Sequence, residues 1–297
     1  MTETTTVVAR SVASADGTPI GCLTVGRGPA LVVLHGAMQT AGSQLELGQA
    51  LADTWQVTLP DRRGRGTSGP RQPDHGPRAG IAADVETDIE DVAAVLAATG
   101  AETVIGVSSG AILALLAARA LPGIRRVVAF EPPILDDQQR ARQTLAQVER
   151  ELAQGRTEAA LTTGWLAIEL GPAFLRRLPR PLLERLVRLG SRAEARRATD
   201  PATTMAALAP TLRDDFRLCA AVSGQVAQFA DVTVPTLLLG GQRSPDYLGG
   251  ALDALQQVLP DPRRVTLPGV GHEATGNRAQ RGRPDLVAAA IGDFLAP

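Results

Sequence analysis

The chain contains no lysine, so arginine supplies all 30 of its basic side chains. The arginines are spread along the whole sequence, which indicates a bias of composition rather than a dedicated phosphate or carboxylate site. Against 31 acidic residues they leave a formal net charge of −1. Proteins that bind nucleic acid or a membrane surface usually carry a strong basic excess. We therefore expect neither kind of partner.

Cysteines and long apolar runs are also scarce. Cys22 and Cys219 are the only cysteines, and they lack metal-ligand spacing, so we expect reduced core residues and no metal. The first twelve residues show no basic segment followed by an apolar run, as a secretory signal would. No uninterrupted apolar stretch approaches the length of a membrane span. These absences predict a cytoplasmic protein.

Short β-type runs alternate with helical stretches in the first half of the chain. The predicted strands are 7–13, 19–25, 30–35, 55–59, 103–107 and 126–130, and the predicted helices are 81–99 and 111–121. The first two strands flank a short turn and form a hairpin. The rest of the alternation predicts an α/β fold whose sheet is doubly wound and mostly parallel.

This alternation stops at Pro132 and Pro133. From residue 136 to about residue 230 only helical runs are predicted, and they are broken by Gly155, Gly171-Pro172, Gly190 and Pro210. Strands at 236–239 and 264–267 follow, with helices at 248–258 and 284–295. We therefore predict an α/β core formed by residues 1–132 and 231–297. An all-helical cap, residues 133–230, covers the sheet edge where such folds bind ligands.

A G-x-S-x-G turn, Gly106–Gly110, separates a predicted strand from a predicted helix. A nucleophilic serine needs a sharp, strained turn, and flanking glycines let the backbone pass without Cβ clashes. The string alone is weak evidence, since an ordinary Gly/Ser turn matches it too. The strand before it and the helix after it favour Ser108 as a nucleophile.

Acyl transfer also needs two backbone N–H donors aimed at the developing oxyanion. Ser109 lies at the head of the predicted helix, where free N–H groups converge, and supplies one donor. Ala37, just after the strand that ends at His35, supplies the second. His35 itself is expected to orient this loop.

The chain has three histidines, and only His272 follows the last predicted strand. We predict that it is the base that activates Ser108. His75 lies in a Gly/Pro/Arg-rich loop and is expected to be solvated.

Four segments in the order LHGA, DRRGRGTS, GVSSG and GVGHE resemble the α/β-hydrolase superfamily. The resemblance covers nearly all of the chain except the helical block. It implies the chain order nucleophile, acid, histidine. It also implies that Asp61 and Arg63 stabilise a turn beside the site. Dehalogenases and epoxide hydrolases of this superfamily carry aspartate where this chain has Ser108. A serine forms an acyl-enzyme instead.

The acid that should support His272 departs from the family pattern. Its usual place, in the turn after strand 236–239, holds Ser244, and a hydroxyl cannot stabilise an imidazolium. Asp246, two residues later, is one alternative. Glu131, at the end of strand 126–130, is the other, and some relatives carry their acid on that strand. We favour Glu131.

The substrate pocket is expected between the helical block and Ser108. Met38 and Val107 are expected to border it by position, whereas Trp165 and the other large apolar residues of the block could line it or form cap core. The predicted function is cofactor-free hydrolysis of a small-molecule carboxylic ester, thioester or lactone through an acyl-enzyme. The alternatives are acyl transfer, perhydrolysis or C–C bond hydrolysis at the same site, or a lyase, cyclase or ligand-binding member of the fold. The sequence favours no particular oligomeric state.

Overall fold

The computed structural model describes residues 6–71, 80–169 and 174–296. In these residues an eight-stranded sheet has the order β1-β2-β4-β3-β5-β6-β7-β8. The strands are β1 (Val8–Ala13), β2 (Pro19–Val25), β3 (Ala30–Leu34), β4 (Gln56–Pro60), β5 (Thr103–Val107), β6 (Arg126–Phe130), β7 (Thr236–Gly241) and β8 (Pro262–Leu267). The pairs β1–β2 and β2–β4 are antiparallel, and the remaining pairs are parallel. The predicted mostly parallel α/β sheet and its first hairpin are confirmed.

The helices of the described residues lie on both faces of this sheet and in the connection between β6 and β7. They are α1 (Leu45–Leu51), α2 (Ile81–Thr99), α3 (Ser109–Ala120), α4 (Gln138–Ala153), α5 (Thr157–Ala167), α6 (Arg180–Ala195), α7 (Met205–Leu208), α8 (Leu212–Val222), α9 (Asp246–Val258) and α10 (Pro284–Leu295). Of the described helices, none combines the length and apolarity needed to cross a membrane.

Two apolar layers sandwich the sheet because its central strands are buried on both faces. Val104 of β5 packs with α2, α3 and α9 on one face, whereas its neighbour Ile105 packs with α1 and α10 on the other. This period-two alternation decides which face each strand residue meets. The predicted strands 103–107 and 126–130 have the predicted bounds.

The connection between β6 and β7 contains the helices α4 to α8 and no strand in its described part. Its last helix belongs structurally to the core as well, because Leu218 and Val222 of α8 pack into the layer formed by α2 and α3. Phe229, just beyond α8, is fully buried in that same layer. The division at residues 132 and 230 therefore stays a prediction. Gly171, Pro172 and His75 lie outside the described residues.

Candidate active site

Ser108 sits on a strained turn between β5 and α3, with φ 54° and ψ −121°. Its backbone N–H donates to the Phe130 carbonyl at 2.8 Å. A Cβ on Gly106 would lie 2.3 Å from the Gly110 carbonyl oxygen, and one on Gly110 would lie 2.4 Å from that of Leu34. Both distances are far below contact, so no larger residue fits at either position. The two glycines thus serve the turn as the sequence pattern predicted.

The loop after β3 passes directly beside Ser108. A Cβ on Gly36 would lie 3.0 Å from Cβ of Ser108, and the Gly36 N–H donates to Gln39 Oε1 at 2.8 Å. Ala37 follows, and Met38 takes a left-handed conformation with φ 56°. Among the described residues, the N–H groups of Ala37 and Ser109 have no hydrogen-bond partner. These two N–H groups are therefore free to donate to another group.

His35 and the turn after β4 have the structural roles that we expected. His35 is 1% exposed, its Nδ1 lies 2.9 Å from the Gly36 carbonyl, and its Nε2 accepts from the Arg62 N–H at 3.1 Å. Burial, reinforced by the charges of Arg65 and Arg62, holds the pKa of His35 well below its usual range. Its ring is therefore neutral, which makes it a rigid support for the loop that carries Ala37.

Asp61 and Arg63 act as structural residues, in agreement with the expectation from the resemblance. Asp61 accepts hydrogen bonds from the backbone N–H groups of Ala41 and Thr67, at 2.7 and 2.8 Å. Arg63 forms ion pairs with Asp16 and Asp91 at 2.7 and 2.6 Å. These bonds fasten the turn to the antiparallel edge of the sheet and to α2.

Glu131 lies within hydrogen-bond distance of His272. Its Oε2 is 2.6 Å from Nδ1 of His272, and its Oε1 accepts from the Gly241 N–H at 2.6 Å. The carboxylate is 1% exposed, and its backbone has φ 45° because the chain turns sharply at the end of β6. Both oxygens are thus engaged, and the bond to Glu131 leaves Nε2 of His272 available to a reacting group. The structure brings Glu131, and not Asp246, to the histidine.

Asp246 is an exposed residue at the start of α9 and makes no hydrogen bond to His272 in the described residues. It lines a polar vestibule of about 410 Å³ together with Ser244 and His272. The Oγ of Ser244 is buried and has no hydrogen-bond partner within the described ranges. In the same ranges Ser108 and His272 are not directly hydrogen-bonded. Such separations are common without substrate and close in the Michaelis complex.

Ser108 borders a second, apolar cavity of about 310 Å³ between the sheet edge and the helical block. Its wall is made mainly of apolar side chains, among them Pro133, Leu161, Ile168, Val187, Met205, Leu212 and Phe216. Met38 and Trp165 line it beside Ala37 and Ser109.

Val107 does not line this cavity, which corrects the sequence-based expectation. It is 2% exposed and packs in the core layer on the α1 and α10 side of the sheet. The reason is strand parity: the residue before the turn still follows the alternation of β5, so its side chain enters the core. Among the large apolar residues of the helical block, Phe229 is core and Phe174 is 65% exposed.

Sequence reasoning missed a buried ionic cluster behind Ser109. Asp215 of α8 accepts hydrogen bonds from Arg62, Arg65 and Ser109, each at 2.8 Å. Arg62 also donates to Ser109 Oγ at 3.0 Å. Arg62 and Arg65 inside DRRGRGTS were a usable signal, because buried arginines need acidic partners. The sequence does not show which acidic residues fold against them.

Comparison with known proteins identifies the family of the chain. The family described as the alpha/beta hydrolase fold matches residues 29–277, so the chain belongs to the α/β-hydrolase family. A pimeloyl-[acyl-carrier protein] methyl ester esterase from Xanthomonas campestris is 30% identical over 279 residues, which cover 92% of this chain and 97% of the relative. The chain is accordingly a hydrolase of the esterase-like class.

Two solved structures illustrate the similarity. An alpha/beta hydrolase from Sphaerobacter thermophilus shares 31% identity with a TM-score of 0.73, over 97% of this chain and all of the other. An enol-lactonase from Burkholderia xenovorans shares 17% identity with a TM-score of 0.64, over 96% of this chain and 99% of the other. The second likeness concerns the fold alone.

Proposed function

We propose that the protein hydrolyses a carboxylic ester of a small molecule through an acyl-enzyme. Ser108 is the nucleophile, His272 the base and Glu131 the acid, and the N–H groups of Ala37 and Ser109 bind the oxyanion. The observation that carries this proposal is the 2.6 Å contact between Glu131 and His272 at the sheet edge where Ser108 is strained. The esterase from Xanthomonas campestris supports ester chemistry.

The reaction follows from these positions in two halves. Ser108 Oγ attacks the ester carbonyl carbon while its proton passes to Nε2 of His272, and the carbonyl oxygen becomes an anion held by the two N–H donors. The C–O bond then breaks, and the alcohol leaves with the proton from His272. Water next attacks the acyl-enzyme, again giving its proton to His272. Collapse of this second intermediate releases the acid and returns the proton to Ser108.

The two cavities suggest how the ester lies. The departing alcohol oxygen receives its proton from His272, which lines the polar vestibule, so the alcohol side faces that vestibule. The acyl side then occupies the apolar cavity bordered by Ser108. Asp215 is the ionised group on its wall, and its carboxylate is already engaged by two arginines and a hydroxyl. This environment favours an uncharged acyl group.

The cavity volume indicates the size of that group. At about 310 Å³ it is twice the ~150 Å³ of an apolar protein cavity that holds benzene, which corresponds to roughly twelve non-hydrogen atoms. We therefore propose esters of medium-length aliphatic or monocyclic acids as the substrate class. Among 4-nitrophenyl esters, octanoate and decanoate are expected to exceed both acetate and hexadecanoate in kcat/KM.

Covalent labelling tests the proposed chemistry. A fluorophosphonate probe should modify Ser108, as located by peptide mass mapping, and Ser108→Ala should remove both the label and the esterase activity. If folded wild-type protein stays unlabelled and hydrolyses no ester, a lyase, cyclase or binding role replaces hydrolysis. Product analysis with added alcohol or peroxide distinguishes hydrolysis from acyl transfer and perhydrolysis, because the acceptor then appears in the product.

Gly164→Leu should shift the preferred acyl length. Gly164 of α5 lines the apolar cavity, and a Cβ there would meet Leu212 and Phe216 at ordinary contact distances of 3.4 Å. The larger side chain fills space needed by a long acyl group. We expect the octanoate-to-butanoate ratio of kcat/KM to fall about tenfold, the scale of lost methylene contacts.

Gly250→Leu is the matched control, since a Cβ on Gly250 of α9 would have no neighbouring atom within 4 Å. It should leave the ratio unchanged. An unaltered ratio in Gly164→Leu would show that the acyl group does not use this cavity.

A further inference from the structure

Arg62 connects the two segments that carry the proposed oxyanion donors. Its backbone N–H donates to Nε2 of His35 at 3.1 Å, and the other nitrogen of that ring contacts the Gly36 carbonyl, one residue before Ala37. Its guanidinium donates to the Ser109 hydroxyl at 3.0 Å. One residue therefore joins the loop that carries the first N–H donor to the residue that carries the second.

Asp215 holds this guanidinium in place. Its Oδ1 accepts from Arg62 and from the Ser109 hydroxyl, each at 2.8 Å, and its Oδ2 accepts from Arg65 at 2.8 Å. All four side chains are buried. Burial opposes ionisation of Asp215, but the charges of Arg65 and Arg62 outweigh it and lower the pKa of the carboxyl. The carboxylate is thus charged and accepts hydrogen bonds from three sides.

The contribution of this cluster is geometric rather than electrostatic. The guanidinium groups of Arg62 and Arg65 both pair with Asp215 at 2.8 Å, inside the cluster. Asp88 of α2 lies 3.9 Å from Arg62 and pairs more closely with Arg71. The hydrogen bonds restrict the rotamer of Ser109 and fix the position of the loop that carries His35. Both effects are strong because the bonds are buried in a region of low dielectric constant.

We propose that Arg62 and Asp215 are positioning residues, which set the separation of the Ala37 and Ser109 N–H groups through the Ser109 hydroxyl. The inference rests on the proposed function, since it concerns the oxyanion of that reaction. Donors that are preorganised for the tetrahedral state accelerate the chemical step without tighter substrate binding. Loss of the arrangement should therefore lower kcat and leave KM nearly unchanged.

The fold contains a matched arrangement away from Ser108. The Thr163 hydroxyl donates to Glu151 at 2.6 Å, and Arg180 donates to both of them, at 2.5 Å to Glu151 and 2.8 Å to Thr163. A hydroxyl, a carboxylate and an arginine are joined in the same pattern as Ser109, Asp215 and Arg62. Thr163→Val therefore reproduces the loss of one buried hydroxyl without touching the proposed oxyanion hole.

The experiment compares Ser109→Ala, Arg62→Met, Arg62→Lys and Thr163→Val with the wild type. Measured quantities are kcat, KM, Tm and the inhibition constant of an alkyl boronic acid, which forms a tetrahedral adduct on a serine nucleophile. Ser109→Ala retains the backbone N–H donor. We therefore expect kcat to fall roughly tenfold, which is less than the decrease that removal of an oxyanion donor causes. Arg62→Met should lower kcat roughly 50-fold, on the scale of a small misplacement of reacting groups.

In Ser109→Ala and Arg62→Met, boronic acid binding should weaken by the same factor as kcat. Arg62→Lys should retain more of both kcat and boronic acid binding than Arg62→Met. Thr163→Val should lower Tm without changing kcat or boronic acid binding. Equal kcat values in Ser109→Ala and Thr163→Val would overturn the positioning role, even if Arg62→Met does not fold. That outcome would not contradict the proposed function. The proposed function fails only if Ser108 of the wild-type protein is not labelled and the protein hydrolyses no ester.

Discussion

Glu131→Gln is expected to lower kcat by about 10⁴-fold, the loss known for an uncharged replacement of a triad acid. An amide cannot stabilise the imidazolium that forms when His272 accepts the serine proton, and its N–H₂ can force the unproductive tautomer of the ring. The amide oxygen can still accept from the Gly241 N–H, so the local backbone stays supported. Steady-state kinetics on a 4-nitrophenyl ester, with thermal unfolding to verify the fold, measure the effect.

Asp246→Asn is the matched control, because it makes the same chemical change on the other candidate acid. Asp246 is exposed and forms no described hydrogen bond to His272. The kcat of the Asp246→Asn variant should therefore stay close to that of the wild type. If Asp246→Asn were inactive and Glu131→Gln active, the acid assignment would be wrong. A full loss in both would indicate that the two carboxylates act on His272 together.

The parts of the fold that sequence reasoning predicted well depend on local rules. Strand 103–107 is a continuous apolar run, helix 81–99 has apolar residues at helical spacing and ends at Gly100, and both have the predicted bounds. Gly106 and Gly110 were predictable for the same reason, since the strained turn admits no Cβ at either position. Such features are decided within a few residues of sequence.

The details that sequence reasoning missed depend on contacts between distant segments. Asp215 and Arg62 are 153 positions apart, and only the docking of α8 on the core brings them together. The sequence favoured Glu131 over Asp246 but could not decide between them for the same reason, because Glu131 and His272 are 141 positions apart. Val107 shows a different failure: its adjacency to Ser108 suggested a pocket residue, but strand parity turns its side chain into the core.

If Glu131 is the acid, as we propose, the position where the family pattern places the acid should accept a carboxylate in its stead. Ser244 stands where the family pattern places the acid, and its buried Oγ has no described partner although it lines the same vestibule as His272. Because Ser244 and His272 line the same vestibule, we expect a carboxylate at position 244 to reach the imidazole. In the Glu131→Gln background, Ser244→Asp is therefore expected to raise kcat by about 100-fold, part of the 10⁴ lost.

Ser244→Asn is the control for this rescue experiment. Ser244→Asn in the same background changes the side-chain volume equally but adds no charge, so it should remain as slow as Glu131→Gln alone. If the aspartate and asparagine double variants are equally slow, the turn after β7 cannot present a carboxylate to Nδ1. Recovery by aspartate alone would mean that charge at the imidazole, rather than the particular strand that supplies it, is what the reaction requires.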